Sequence, residues 1–259
     1  MEYGINLMSV IPVRSAAEDT SEQVTQLLFG EMVMILEKRD KWLMVQVVSD
    51  SYQGWVSAGQ VTKISYEEFV ALQGKPHWVS NDLVQLLENK SRGYSFMISA
   101  GSSFYDCSQN AFNLCGEEWY YHGTMSPTKT FEPEELVSHA MIFLHTPYMW
   151  GGKSALGADC SGLTQVVFKM AGKVIHRDAS QQARQGETIN LIHEARTGDL
   201  LFFDNQEGEI IHVGMMLDEN HIIHAHHKVR IDKVDHHGIF NTDNRKYTHQ
   251  LRLIKRYDP

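Results

Sequence analysis

Cysteine is scarce in this chain, with three residues in 259. That is too few for a disulfide scaffold. Cys107 and Cys115 either pair across a hairpin or stay as free thiols, and Cys160 stands alone. Sparse, reduced cysteine fits a reducing compartment, so a cytoplasmic location is expected. Positive charge is also short: 23 Lys and Arg face 32 Asp and Glu, a formal net charge of −9. This counts against nucleic acid as a partner, and against an anionic membrane or wall polymer held by charge alone. It suits a small soluble substrate, or one carrying a free amine. No apolar run is long enough to predict a membrane span. No basic-then-apolar leader precedes Met1-Glu2-Tyr3-Gly4, so no signal peptide is expected, although a chain with its leader removed looks the same. Low-complexity segments and repeats of fixed period are absent too. The remainder is ordinary for a soluble globular protein, with 42% hydrophobic and 21% charged residues. The length leaves room for two or three small domains, and a monomer is expected.

What is present concentrates in the second half. Tyr148-Met149-Trp150-Gly151-Gly152 leads through Asp159 to Cys160-Ser161-Gly162. From Cys160 to Ala171, Leu163, Val166, Val167 and Met170 recur at helical spacing, and Gly172 closes the run like a C-cap. A cysteine at a helix start sits where the positive end of the dipole favours the thiolate, its reactive form. A buried cysteine acting as a small hydrophobe is the alternative. Two histidines downstream favour the first reading. Residues 210–217 read as a strand carrying His212, and Asn220 turns the chain into a second strand, 221–226, carrying His224. Adjacent strands set the two imidazoles side by side. A cysteine, a base and a polar group that orients the base form a nucleophilic constellation. The 14 histidines include a cluster of His221, His224, His226, His227, His236 and His237. No carboxylate or cysteine stands at a familiar ligand spacing among them, so no metal and no cofactor are expected. Gly151-Gly152-Lys153-Ser154 lacks the first glycine of a phosphate-binding loop, which excludes nucleotide binding.

The first half has a different texture. Residues 30–37, 41–48 and 52–56 are short segments rich in Val, Ile and Trp between charged turns, the pattern of a small β-barrel ending near Ile64. In residues 65–130, stretches 65–72 and 81–89 read as short helices, and 95–100, 103–107 and 118–122 as strands. Pro127 and Pro133 mark the entry to the last domain, with Pro133 in the first turn of a helix over 134–145.

Residues 131–259 resemble the NlpC-type cell-wall cysteine peptidases, a compact papain-like family. The resemblance rests on Tyr148-Met-Trp150-Gly-Gly, Asp159-Cys160-Ser161-Gly162, Arg177-Asp178-Ala-Ser180-Gln-Gln, Gly198-Asp199-Leu-Leu-Phe-Phe and His212-Val-Gly214. Together these motifs are specific; singly each is weak. The resemblance implies an α+β fold in which a papain-like catalytic domain, 131–259, follows one or two SH3-like barrels. The first barrel is 1–64. Residues 65–130 are either a second SH3-like domain or a helical and β linker. Cys160, His212 and His224 are implied as the catalytic triad. Tyr148 and Trp150 are implied at the oxyanion or substrate pocket, and Asp159 and Ser161 at the contact with a glutamyl α-carboxylate. Ser180 is either a pocket residue or the cap of a helix over 181–186.

The resemblance is best to a subgroup of γ-D-glutamyl–diamino acid endopeptidases of peptide recycling. Its members act on stem peptides of the form L-Ala-γ-D-Glu-diamino acid with a free N-terminus. There an aspartate at the position of Asp178 meets the substrate ammonium. Glu22 and Tyr52 of the first barrel are the further candidates for amine recognition. An ammonium held by carboxylates makes a free amine an entry requirement, because a blocked substrate leaves the carboxylates unpaired. Other readings are an endopeptidase or amidase on intact wall, an acyltransferase with the same Cys–His pair, and a non-catalytic wall-binding protein. The last requires a damaged triad, whereas Cys160, His212 and His224 are all present.

Overall fold

The computed structural model describes residues 2–128, 131 and 133–257. Its contacts divide the chain into two compact units, Met1–Lys129 with Trp150–Ala155, and Thr130–Met149 with Leu156–Pro259.

In the first unit the Val- and Trp-rich segments form strands, as their composition between charged turns predicts. A seven-stranded antiparallel sheet runs in the order Gln23–Leu28, Val10–Arg14, Gln53–Ser57, Trp42–Val47, Met32–Arg39, Glu2–Ile5 and Thr62–Ile64. Its inward positions, among them Ile11, Val13, Leu27, Val33, Val45 and Val56, make one apolar core. Ser65 then starts the helix Tyr66–Gln73 through a reciprocal capping box with Glu68. The following segment is strand-built, in one sheet of four strands and one of three. Here one expectation fails: residues 81–89 are not a helix. Val84–Asn89 is a strand paired with Tyr94–Ser99 on one side and Glu117–Tyr121 on the other. Leu, Gln and Glu in that stretch favour a helix intrinsically, but cross-strand pairing decides. A second, aromatic core joins Tyr3, Ile5 and Phe29 to Phe104, Phe112, Trp119 and Tyr121. The segment beyond Ile64 thus shares its interior with the first barrel. Cys107 and Cys115 pack at the margin of this core as free thiols.

Trp150–Ala155 belongs with this unit. Lys153, buried, places Nζ 3.1 Å from the buried Glu31 carboxylate, and its backbone N–H donates to Gln26 Oε1 at 3.0 Å. The Ala155 N–H donates to Ser99 Oγ at 2.8 Å. The lysine of the Gly-Gly-Lys-Ser sequence is therefore half of an internal ion pair.

The second unit is built on a seven-stranded sheet in the order Glu187–Ile189, Lys246–Arg256, Leu200–Asp204, Ile210–Asp218, His221–His226, Lys228–Asp235 and Gly238–Asn241. Gly238–Asn241 also pairs with Lys246–Arg256, which closes the strands on themselves. The helix Cys160–Met170 packs against Ile210–Asp218 and His221–His226. Its end matches the sequence reading: Ala171 is the C-cap and Gly172, at φ +88°, takes the left-handed turn that a side chain resists. The helix expected over 134–145 is shorter, a 3-10 turn Pro133–Glu135 followed by Leu136–Met141. The helix near Ser180 is Ala179–Gln182, and its cap is Asp178, not Ser180. Asp178 accepts the backbone N–H of Gln181 while the Gln181 side chain reaches back to Asp178, and Ser180 stays exposed. By composition the chain is 47% strand and 15% helix, a strand-rich balance that does not confirm the α+β class.

Candidate active site

Cys160 is the first residue of its helix, and Asp159 is the N-cap, accepting the Gly162 N–H at 2.7 Å. A fully buried arginine holds that cap in place. Arg177 Nη1 and Nη2 donate to Asp159 Oδ1 and Oδ2 at 3.0 and 2.6 Å, and Nη1 also donates to Ser161 Oγ at 3.0 Å. This two-pronged geometry fixes the planes of both groups. Asp159 thus commits its carboxylate to the helix start and to Arg177. The hydrogen-bonding groups able to donate to an anion at this corner belong to Ser161 and Arg177.

Burial pushes the Cys160 thiol up to about 12, and the Asp159 carboxylate adds to the effect. The backbone N–H of Val213, the Arg177 charge and the Ser161 N–H act in the opposite sense. Left to itself, the thiol stays protonated near neutral pH, so reactivity requires a base that takes the proton as the sulfur attacks. Val213 follows His212 on the strand Ile210–Asp218, so the thiol faces the strand that carries His212.

His212 and His224 meet as the strand reading predicts. Gly214 pairs with His224 in register, and His212 Nε2 lies 2.9 Å from His224 Nδ1. Gly214 is needed there: a Cβ would stand 2.9 Å from His224 Cβ and 2.7 Å from Ile222 Cδ1. Both rings are buried. Burial holds His212 well below the usual imidazole range, and His224, His249 and His226 add repulsion to any proton it takes. With Nε2 engaged by His224, the nitrogen of His212 left for the thiol is Nδ1.

Three neighbours went unread in the sequence. Asp232, from the adjacent strand Lys228–Asp235, puts Oδ2 3.1 Å from His224 Nε2. Arg230 pairs with Asp232, Nε to Oδ2 at 2.7 Å and Nη2 to Oδ1 at 2.8 Å. His249, on the long strand Lys246–Arg256, stacks on His212 with ring centroids 4.2 Å apart and planes at 23°. One signal was available for Asp232: it falls in phase with the buried Val234, where an apolar residue is the default.

Tyr148 is half-exposed. Its hydroxyl is raised to about 12, by burial first and then by Cys160 and Asp159, so it is a donor at neutral pH. Asp178, part-buried, caps its helix as described above. In the first unit, Trp150 is exposed and its indole N–H donates to Glu22 Oε1 at 2.5 Å. Tyr52 packs against the barrel core, with its N–H on Asp50 Oδ1 at 2.9 Å. Among the described residues no group of three or more His, Cys, Asp or Glu is arranged to hold a metal ion.

Comparison with known proteins agrees with this geometry. Residues 145–247 match the NlpC/P60 family, and residues 13–61 match the bacterial dipeptidyl-peptidase SH3 domain. The chain is 30% identical over 219 residues to a γ-D-glutamyl-L-lysine dipeptidyl-peptidase of Bacillus subtilis (strain 168), covering 78% of this chain and 71% of the relative. It is 27% identical over 249 residues to dipeptidyl-peptidase 6 of Lysinibacillus sphaericus, covering 86% and 89%. The crystal structure of an NlpC/P60 family protein from Bacillus cereus ATCC 10987 superposes with a TM-score of 0.85 at 22% identity, over 99% of this chain and 100% of that one, and shows the shared fold. A cysteine at a helix start, two coupled histidines on neighbouring strands and a preceding SH3 domain place this chain in the NlpC/P60 family of cysteine peptidases.

Proposed function

We propose that the protein hydrolyses the γ-D-Glu–diamino acid bond of peptidoglycan-derived stem peptides with a free N-terminal L-Ala, as a cytoplasmic enzyme of peptide recycling. The observation that carries the reading is the buried Cys160 thiol, facing the strand of His212 with His224 behind it. The names of the Bacillus and Lysinibacillus relatives support the bond class and a dipeptide product.

The chemistry follows from the roles. His212 Nδ1 takes the Cys160 proton as the thiolate attacks the carbonyl carbon of the γ-linked D-Glu. The backbone N–H at Cys160 and the Tyr148 hydroxyl donate to the oxyanion. The His212 imidazolium then gives its proton to the leaving amine of the diamino acid, the C–N bond breaks, and an acyl thioester remains on Cys160. Water loses a proton to His212 and attacks the thioester. The sulfur leaves and regains its proton. Arg177 and Ser161 supply donors for the α-carboxylate of D-Glu. Asp178 supplies the carboxylate that meets the terminal ammonium, an arrangement that suits the net negative charge of the chain, −9.

The test is a paired cleavage assay by mass spectrometry on L-Ala-γ-D-Glu-diaminopimelate, the lysine analogue, and the same peptides N-acetylated. Cleavage of the free-amine peptides alone supports the reading. Equal cleavage of the acetylated peptides removes the amine requirement and favours an endopeptidase of intact wall.

A further inference from the structure

The sequence identified a base and a residue behind it. The structure adds a buried carboxylate that decides which nitrogen of each ring carries the proton. We infer that Asp232 is a positioning residue that fixes the tautomers of His224 and His212 in series, and so leaves the acceptor lone pair of His212 on Nδ1. This rests on the reading of Cys160 and His212 as nucleophile and base.

An ionised carboxylate only accepts hydrogen bonds. The Asp232 side chain is fully buried, and its partners keep it ionised. Burial opposes its charge, but the hydrogen bonds from His224 and Arg230 outweigh that and hold the carboxyl at about 2. Thr242 adds its backbone N–H and hydroxyl to Oδ1 at 3.3 and 3.4 Å. His224 Nε2, 3.1 Å from Oδ2, must therefore be the protonated nitrogen. In a neutral imidazole the other nitrogen is then an acceptor. That nitrogen, His224 Nδ1, lies 2.9 Å from His212 Nε2, so His212 donates from Nε2. His212 Nδ1 is left bare, the state required of a general base. The reverse assignment sets the His224 Nε2 lone pair against a carboxylate in a dry interior and places a proton on His212 Nδ1, where base action is impossible.

The strand register builds this series. His221–His226 pairs with Lys228–Asp235 so that His224 faces Arg230 and Ile222 faces Asp232. Arg230 carries the charge balance outward to Asp243, with Nη2 2.9 Å from Oδ2. His249 stacked on His212 and His226 stacked beside His224 are the other titratable rings facing the pair. Both oppose an added proton on His212, and Arg230 opposes one on His224, whereas the Asp232 hydrogen bond and charge favour a proton on His224.

The experiment begins with the unmodified enzyme, labelled with 15N-histidine, at neutral pH. The 15N shifts are expected to show protonated Nε2 and bare Nδ1 on both His212 and His224. A proton on Nδ1 of either ring overturns the inference without touching the peptidase reading. Asp232→Asn then presents an amide donor to His224 and reverses the series. The expected result is a fall in kcat of about 100-fold or more with KM within about twofold of the unmodified enzyme, in line with wrong-tautomer variants of other triads. Alkylation of Cys160 by iodoacetamide, which needs no substrate, is expected to slow at pH 7, and Asp232→Glu to restore part of both rates. A kcat within about threefold of the unmodified enzyme for Asp232→Asn overturns the inference. If Cys160→Ala still turns over substrate, the nucleophile assignment fails instead.

Discussion

Arg177→Met probes how the helix start that carries Cys160 is held. The substitution removes the hydrogen bonds to both Asp159 oxygens and to Ser161 Oγ from a side chain that is 1% exposed. It leaves the Asp159 carboxylate, 10% exposed, with its Gly162 N–H contact but without its counter-charge. Breaking one side of a buried pair costs about 3–5 kcal/mol, whereas replacing both sides is often near neutral. The expected loss for Arg177→Met is therefore about 3–5 kcal/mol, or roughly 10 °C or more in Tm. Arg177→Met with Asp159→Asn should recover most of this, because asparagine remains a good cap and carries no charge to strand. A double-mutant cycle by thermal unfolding should give a coupling of about 2 kcal/mol or more. Arg177 also draws the Cys160 thiol down against burial and Asp159, so the pH at which Cys160 is alkylated should rise in Arg177→Met. A single variant within about 1 kcal/mol of the unmodified protein, or a double variant less stable than the single, refutes the argument.

Acid should weaken the second unit through its buried imidazoles. Burial first, then His224 and His226, lowers His249 from 6.5 to about 4. A base depressed by folding stabilises the native state above its unfolded value and loses that contribution as pH falls from 6.5 through 4. Tm measured across that window should therefore drop less in His249→Gln than in the unmodified protein. At the short helix Ala179–Gln182, Asp178→Ala should cost about 0.5–2 kcal/mol as a lost cap, while Ser180→Ala should stay within about 0.5 kcal/mol in urea unfolding. Gly214→Ala should cut kcat more than it cuts Tm, because the added methyl meets His224 Cβ and Ile222 where the two histidines are brought together. A steady-state assay paired with calorimetry reads both.

The sequence made legible what repeats locally. The alternation around His212 and His224 placed both strands, and the helical spacing after Cys160 placed that helix and its Gly172 turn. The short helix read over 65–72 and the Val- and Trp-rich barrel strands were legible for the same reason, although Ser65 proves to be the cap of that helix and not part of it. Failures came where distant pairing decides. Val84–Asn89 carries helix-favouring side chains but is held between two strands, one of them about 30 residues away. Asp178 and Ser180 are both good caps by type, and only the chain path shows which one precedes the helix. His249 lies on a strand that takes part in the closure of the sheet, and Asp232 sits on the next hairpin strand among apolar positions, and no short motif records either. The sequence excluded Lys153 from a phosphate-binding loop but gave no partner for it, because Glu31 lies over a hundred residues earlier.

The central claim is that Cys160 is the nucleophile of a γ-D-glutamyl peptidase. The most direct measurement is release of L-Ala-D-Glu from L-Ala-γ-D-Glu-diaminopimelate, quantified by mass spectrometry for the unmodified protein and for Cys160→Ala at matched concentration. The account predicts dipeptide release by the first and none above blank by the second, with the two proteins melting within a few degrees of each other. Equal release by both, or release by neither from any γ-D-glutamyl peptide offered, contradicts it.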